Sequence, residues 1–71
     1  MDLYRVWDRN SHEFYWTVER SPAHAVELVS SMLSIDSAEL GASLDSDDAQ
    51  HNITKGIIID SSGIIVSFVW G

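Results

Sequence analysis

The chain has 71 residues, of which 45 % are hydrophobic, no cysteine, and a formal net charge of −7 at pH 7. Such a length suffices for one domain of two layers, so we expect a single α+β domain over residues 1–71, and the apolar content excludes a disordered acidic tail. The missing cysteines exclude disulfides and thiolate metal sites, and the negative charge disfavours direct binding to nucleic acid or membrane surfaces.

The first twenty residues predict a β-hairpin. Phe14, Trp16 and Val18 occupy alternate positions between more polar neighbours, which is the pattern of a strand with one buried face. Residues 3–7 are also rich in apolar and aromatic side chains, and the polar residues 8–11 suit a tight turn between the two strands. We therefore expect Trp16 to lie in the core.

A helix follows the hairpin. Ser21 can cap free backbone N–H groups, and the fixed φ of Pro22 suits the first helical position. Apolar residues then recur at helical spacing and form one stripe, which comprises Ala25, Leu28, Val29 and Met32. The pattern predicts a helix that ends near Leu33 or Ser34.

Residues 35–52 show no secondary-structure period. Asp36 can cap a further short turn that includes Glu39 and ends at Gly41. Residues 45–50 are polar and acidic, and we expect them to form an exposed loop.

Two β-branched and aromatic runs, residues 57–59 and 64–70, predict a second hairpin. Asp60 first and Gly63 last suit a type I turn between them. The element order is then ββαββ, and the expected fold is a four-stranded, mainly antiparallel sheet with one helix packed on one face.

One helix covers only one face of such a sheet, and the other face is predicted to be unusually apolar. If the alternate residues Ile64, Val66, Phe68 and Trp70 face the helix, Ile65 and Val69 point away from it, together with one or two residues of the run 57–59. The N-terminal hairpin adds Tyr15 to that second face, together with either Tyr4 and Val6 or Leu3 and Trp7. A second copy of the chain, a foreign partner or residues 35–52 are the three possible covers.

Acidic residues are concentrated in the middle of the chain. Between Ser21 and Thr54 there are 34 consecutive residues without Lys or Arg but with six acids. Five of these acids lie outside the predicted helix: Asp36, Glu39, Asp45, Asp47 and Asp48. We interpret them as having no local structural role and as forming a surface that attracts basic proteins.

The sequence carries no catalytic, metal or cofactor signature. The tetrapeptide of residues 45–48 begins like a calcium loop, but the ligands that such a loop requires are absent at Ala49, Gln50 and Gly56. The spacing of His12, His24 and His51 matches no zinc motif. Aromatic side chains without flanking Lys and Arg do not predict nucleic-acid binding. We therefore predict neither enzyme activity nor a cofactor.

The N-terminus lacks the basic and apolar blocks of a signal peptide, and no apolar run has the length of a membrane span. These features predict a cytoplasmic protein without a membrane partner.

The passage from Phe14 through Glu19 into Ser21-Pro22-Ala23-His24-Ala25 is similar to the strand, loop and S-x-x-x-A helix entry of HicB-type antitoxins. This resemblance implies a regulatory or structural homodimer, in which the apolar sheet face serves self-association.

In its size, acidity and ββαββ order the whole chain resembles the small phage-encoded anti-CRISPR inhibitors. The resemblance implies a non-enzymatic inhibitor that occupies a basic, nucleic-acid-binding surface of a host defence complex. In that case Asp36, Glu39, Asp45, Asp47 and Asp48 stand in for phosphates, while Ile65 and Val69 supply buried contact area. Protein binding of this kind is the leading functional hypothesis, and homodimerisation is the alternative.

Overall fold

The structure is a computed structural model that describes residues 2–45 and 57–68. These residues form one α-helix, a short 3₁₀ turn at Ser37–Glu39, and five strands. The elements are β1 (Asp2–Asp8), β2 (Phe14–Glu19), α1 (Pro22–Leu33), β3 (Leu40–Leu44), β4 (Ile57–Asp60) and β5 (Ile65–Phe68). The α+β class and the two hairpins are confirmed.

The helix begins and ends as the sequence predicts. The Ser21 hydroxyl accepts a hydrogen bond from the His24 backbone N–H, and Pro22 occupies the first turn. At the other end Ser34 adopts a left-handed conformation with φ 56°, and its N–H bonds to the Ser30 carbonyl, which closes the last turn.

All neighbouring strands of the sheet are antiparallel, and their order is β3-β1-β2-β4-β5. Since β2 and β3 are both antiparallel to β1, they run parallel to each other. The connection between them passes through α1, which packs against β1, β2 and β3. This split arrangement makes β1 an interior strand with a hydrogen-bonded neighbour on both sides.

Strand β3 corrects the predicted strand count from four to five. It lies in the segment predicted to be irregular, and Gly41 belongs to this strand instead of ending the preceding turn. Gly41, Ala42 and Ser43 have low intrinsic β-propensity, which hides the strand in the sequence. Alternate residues of β3 face the helix: Leu40 is buried in the core, and Ala42 packs against the core.

The core lies between α1 and one face of the sheet. Its buried side chains come from the helix and from strands β1, β3 and β4: Tyr4, Val6, Ala25, Val29, Leu40 and Ile58. Thr17 is fully buried on the same face, since it pairs with Tyr4 and Ile58. Met32, by contrast, is 38 % exposed, so the helical stripe ends at the margin of the core.

The orientation of β2 is opposite to the predicted one. Tyr15 packs against the helix-side core and is not on the second face. Trp16 pairs with Arg5 and Ile59 on the face that α1 does not cover. Register explains the correction, because β1 directs Tyr4 and Val6 toward the helix and their β2 partners, Thr17 and Tyr15, must point the same way.

The C-terminal hairpin turns at the predicted position. The Asp60 carboxylate accepts hydrogen bonds from the backbone N–H groups of Ser62 and Ile64, and Gly63 has a positive φ of 81°. A register irregularity between Ile58 and Ile59 allows Ile65 to pair with Ile59. Ile64 and Val66, predicted to face the helix, are exposed.

Thr17 offers a test of how the core is filled. Its side-chain oxygen is buried and has no hydrogen-bond partner within the described part of the chain. We therefore expect Thr17→Val to raise the free energy of unfolding by about 1 kcal/mol, because the unpaired hydroxyl is removed and the β-branched shape is kept. Urea denaturation measures the change. Thr17→Ser is the matched control and should lower stability, and a loss with Thr17→Val would contradict this account of the core.

Candidate protein-binding surface

The face of the sheet that α1 does not cover, here called the open face, is largely apolar. It is formed by alternate residues of all five strands, and register and alternation assign to it Leu3, Arg5, Trp7, Phe14, Trp16, Val18, Gly41, Ser43, Ile57, Ile59 and Ile65. No second helix packs on this face among the residues that the structure describes. Phe14 is 39 % and Ile65 55 % exposed, whereas Leu3 is buried. The other apolar side chains of this face are half-buried: Trp7, Trp16, Val18, Ile57 and Ile59.

The predicted composition of this face is thus partly right. Of the two alternatives for β1, Leu3 and Trp7 lie on the open face, and Ile65 lies there too, as expected. Val69, the other residue expected beside Ile65, lies outside the described residues, as does Trp70, which was expected to face the helix.

Arg5 lies at the centre of the β3-β1-β2 part of the open face. It pairs with Trp16 on one side and with Ser43 on the other. Its guanidinium carbon lies 5.3 Å from the centroid of the Phe14 ring, within the range of a cation–π interaction. Neither a salt bridge nor a hydrogen bond of its side chain is found within the described part of the chain.

Trp7 lies against Gly41 on the neighbouring strand. A Cβ atom at position 41 would be 2.5 Å from Cε2 and Cζ2 of the indole, which is closer than any stable contact. Gly41 therefore lets the indole pack directly against the backbone of β3. The close approach keeps Trp7 half-buried although it is on the face without a helix.

Two acids of the predicted partner-binding set have structural roles, which corrects the interpretation that these acids lack them. The Trp16 indole N–H donates a 2.7 Å hydrogen bond to Asp45 Oδ2, and the Asp45 backbone N–H bonds to the Leu3 carbonyl. Asp36 caps the 3₁₀ turn, as its position in the sequence predicted, by accepting a hydrogen bond from the Ala38 N–H. Asp45 therefore joins the end of β3 to the open face instead of belonging to a free loop.

Of the other predicted partner-binding acids, Glu39 is the one that lies within the described residues. Glu39 ends the 3₁₀ turn, and its carbonyl accepts the Arg9 backbone N–H at 2.9 Å. Asp47 and Asp48 lie outside the described residues, as do Ala49, Gln50, His51 and Gly56 of the rejected metal patterns.

An open groove of about 660 Å³ lies at the end of the open face where β1 turns into β2. Its lining consists of Arg5, Trp7, Asp8, Arg9, His12 and Phe14. Three of these six side chains carry basic groups and two are aromatic. Sequence analysis missed this cluster, although the hairpin pattern itself brings positions 5, 7 and 14 to one face.

The turn between β1 and β2 positions the basic residues of the groove. Asp8 Oδ1 accepts hydrogen bonds from the backbone N–H groups of Asn10, at 2.9 Å, and Ser11, at 3.4 Å. His12 has a positive φ of 63°, and its N–H bonds to the Asp8 carbonyl. The N–H of Asn10 lowers the pKa of Asp8 below its ordinary value, and this effect prevails over burial, which raises it.

The described residues contain no group of three or more side chains able to hold a metal ion. His12 is beside the groove, whereas His24 is engaged with Ser21 through a 2.6 Å contact between Nδ1 and the hydroxyl oxygen. No helix within residues 2–45 and 57–68 is long and apolar enough to cross a membrane.

No protein-family model, curated protein or solved structure matches the chain.

The contact between Trp7 and Gly41 leads to a prediction. Gly41→Ala should destabilise the fold by about 1–3 kcal/mol, because the added methyl group forces the indole away from β3. Chemical denaturation measures the loss, and Ser43→Ala on the same face of β3 is the matched control. In a background of Trp7→Leu the penalty of Gly41→Ala should largely disappear; an unchanged penalty would show that the contact is not its cause.

The turn should also lose stability in acid. The folded-state pKa of Asp8 is lowered, so its stabilising effect is complete above the unfolded pKa and is lost as the pH falls through the folded value. Nuclear magnetic resonance of the Asn10 amide proton should follow this titration. Asp8→Asn keeps an acceptor oxygen and should abolish the pH dependence at Asn10; a transition that persists in Asp8→Asn would assign it to another group.

Proposed function

We propose that the chain is a non-enzymatic protein-binding module that docks through the open face of its sheet. The observation that carries this proposal is a five-stranded sheet whose helix packs on one side only, with aromatic and aliphatic side chains on the other side. Contiguous apolar surface of this kind is a mark of interaction sites.

The residue types on the open face support binding to a protein. Trp and Arg are the residues most enriched at energetically important positions of protein interfaces, and Trp7, Trp16 and Arg5 are adjacent here. Trp7 is held by its contact with Gly41 and Trp16 by its hydrogen bond to Asp45. Side chains that are ordered in this way lose little conformational entropy on binding.

The charge of the chain indicates which partner this surface meets. A net charge of −7 steers the module toward a basic protein and away from nucleic acid. In its most specific form, the proposal is an inhibitor from a mobile element that occupies a basic surface of a nucleic-acid-binding defence complex in the host cytoplasm. Asp36, Glu39, Asp47 and Asp48 contribute to that steering through their charge.

Self-association through the same open face is the second candidate. It is favoured by the exposure of Ile65 in the C-terminal hairpin, where two apolar faces can stack. A homodimer of this type would have the regulatory or structural role expected of an antitoxin-like domain.

One substitution tests whether the open face is the docking surface. Ile65→Asp places a charge on the open face at a position that is 55 % exposed, whereas Leu44→Asp adds the same charge at a 60 % exposed position outside that face. In pull-downs from host lysate, we expect Ile65→Asp to lose the partner retained by the parent chain, and Leu44→Asp to keep it. Retention should weaken as salt is raised.

Sedimentation of the purified variants completes the test. We expect the parent chain and both variants to sediment as monomers with unchanged circular dichroism. A parent dimer that Ile65→Asp dissociates would replace the proposal with the homodimer. A retained partner that both variants hold equally would exclude the open face as the docking surface.

A further inference from the structure

We propose that the groove lined by Arg5, Trp7 and Phe14 accepts a carboxylate side chain of the partner protein, presented next to an apolar residue. This inference rests on the proposed function and adds the chemistry that the docking site recognises. It concerns the one part of the described surface where an acidic chain gathers basic side chains.

The distribution of charge supports an anionic ligand. The described residues include three cations, Arg5, Arg9 and Arg20, of which the first two line the groove together with His12. The one acid in the lining, Asp8, directs Oδ1 at the backbone N–H groups of its own turn. The groove therefore offers more positive than negative groups to an incoming side chain.

Hydrogen-bond donors are available in the groove. Arg5 rests over the Phe14 ring and makes no hydrogen bond within the described residues, so the fork of its guanidinium can bind a carboxylate with two parallel N–H bonds. One N–H of Arg9 donates to the Ala38 carbonyl at 3.2 Å, which ties the side chain to the 3₁₀ turn. The remaining donors of Arg9 stay available.

The apolar walls of the groove favour an apolar residue next to the bound carboxylate. Trp7 and Phe14 are paired across β1 and β2 next to Arg5, and both rings line the groove. An aromatic or aliphatic side chain beside the acid gains contact area with these rings, and the partial exclusion of water strengthens the ion pair. A free anion or an isolated acid lacks this contribution.

A protein segment fits the groove better than a nucleic acid does. Aromatic rings and arginines also bind nucleotides, but a strand must place successive phosphates along a cationic path. Beyond the groove, the described surface offers Arg20 alone as a further arginine, against nine acids in the same residues. A single carboxylate requires only the two arginines that are present.

A basic partner is compatible with an acidic ligand at this position. The net charge of the chain attracts a basic protein over distances of up to the Debye length of about 10 Å. The groove, by contrast, binds one side chain of that protein in direct contact. Proteins that process nucleic acid with metal ions combine a basic surface with acidic metal ligands.

Two peptides that differ only in charge test the proposal. We would titrate the ¹⁵N-labelled chain with acetyl-Gly-Phe-Glu-Phe-Gly-amide and with the same peptide containing Gln in place of Glu. We expect the Glu peptide to shift the amides of Arg5, Trp7 and Phe14 and to bind at least tenfold more tightly than the Gln peptide.

Matched variants assign the effect to the groove. Arg5→Gln should bring the affinity for the Glu peptide down to that for the Gln peptide, and Arg5→Lys should give an intermediate value because the planar fork is lost. Arg20→Gln removes the same charge outside the groove and should leave the tenfold preference intact. The comparison of the two peptides on the parent chain remains decisive if a variant fails to fold.

Three results would overturn the inference: equal affinity for both peptides, loss of the preference in Arg20→Gln, or displacement of the Glu peptide by an octathymidylate that shifts the same amides. These failures are distinct from failure of the proposed function. If Ile65→Asp abolishes partner binding while Arg5→Gln leaves it unchanged and the peptides do not bind, the open face docks a protein without carboxylate recognition.

Discussion

The hydrogen bonding of β1 on both sides is the constraint on which the rest of the structure depends. An interior strand cannot rotate about its axis, so each side chain along it is assigned to one face. Tyr4 and Val6 point under α1, while Arg5 and Trp7 point away from it. Residues of β2 and β3 point to the same face as their partners on β1. The orientation of β1 therefore determines which side chains of these strands lie in the core and which lie on the open face.

The elements that the sequence predicts are those with local signals. The helix has a capping serine, a proline and an apolar stripe, and both hairpins have polar turns between β-rich runs. Strand β3 has no such signal, because its middle residues are small and only the ladder with β1 makes them extended. The orientation of β2 is equally non-local: both of its faces carry apolar or aromatic side chains, so alternation alone does not identify the inner one.

The candidate site shows the same division between local and tertiary information. An apolar second face follows from having one helix and many β-branched residues, and it was predicted. The groove depends on tertiary geometry, since Arg9 and His12 reach it from a turn shaped by the Asp8 carboxylate. Asp45 likewise gains its role only when β3 brings it within hydrogen-bonding distance of Trp16. Counting charges along the chain does not reveal which acids are already engaged.

Strand β3 lies at the edge of the sheet that the described residues form, and no residue between Leu40 and Leu44 is charged. Such an edge is a template for pairing with another copy, and natural sheets protect it with charges. Here the protection lies at the two ends, where Glu39 precedes the strand and Asp45 follows it. Whether two β3 edges approach in parallel or antiparallel register, an acid meets an acid. The Asp45 carboxylate that accepts the Trp16 indole N–H thus also acts, together with that of Glu39, as a gatekeeper against edge-to-edge aggregation.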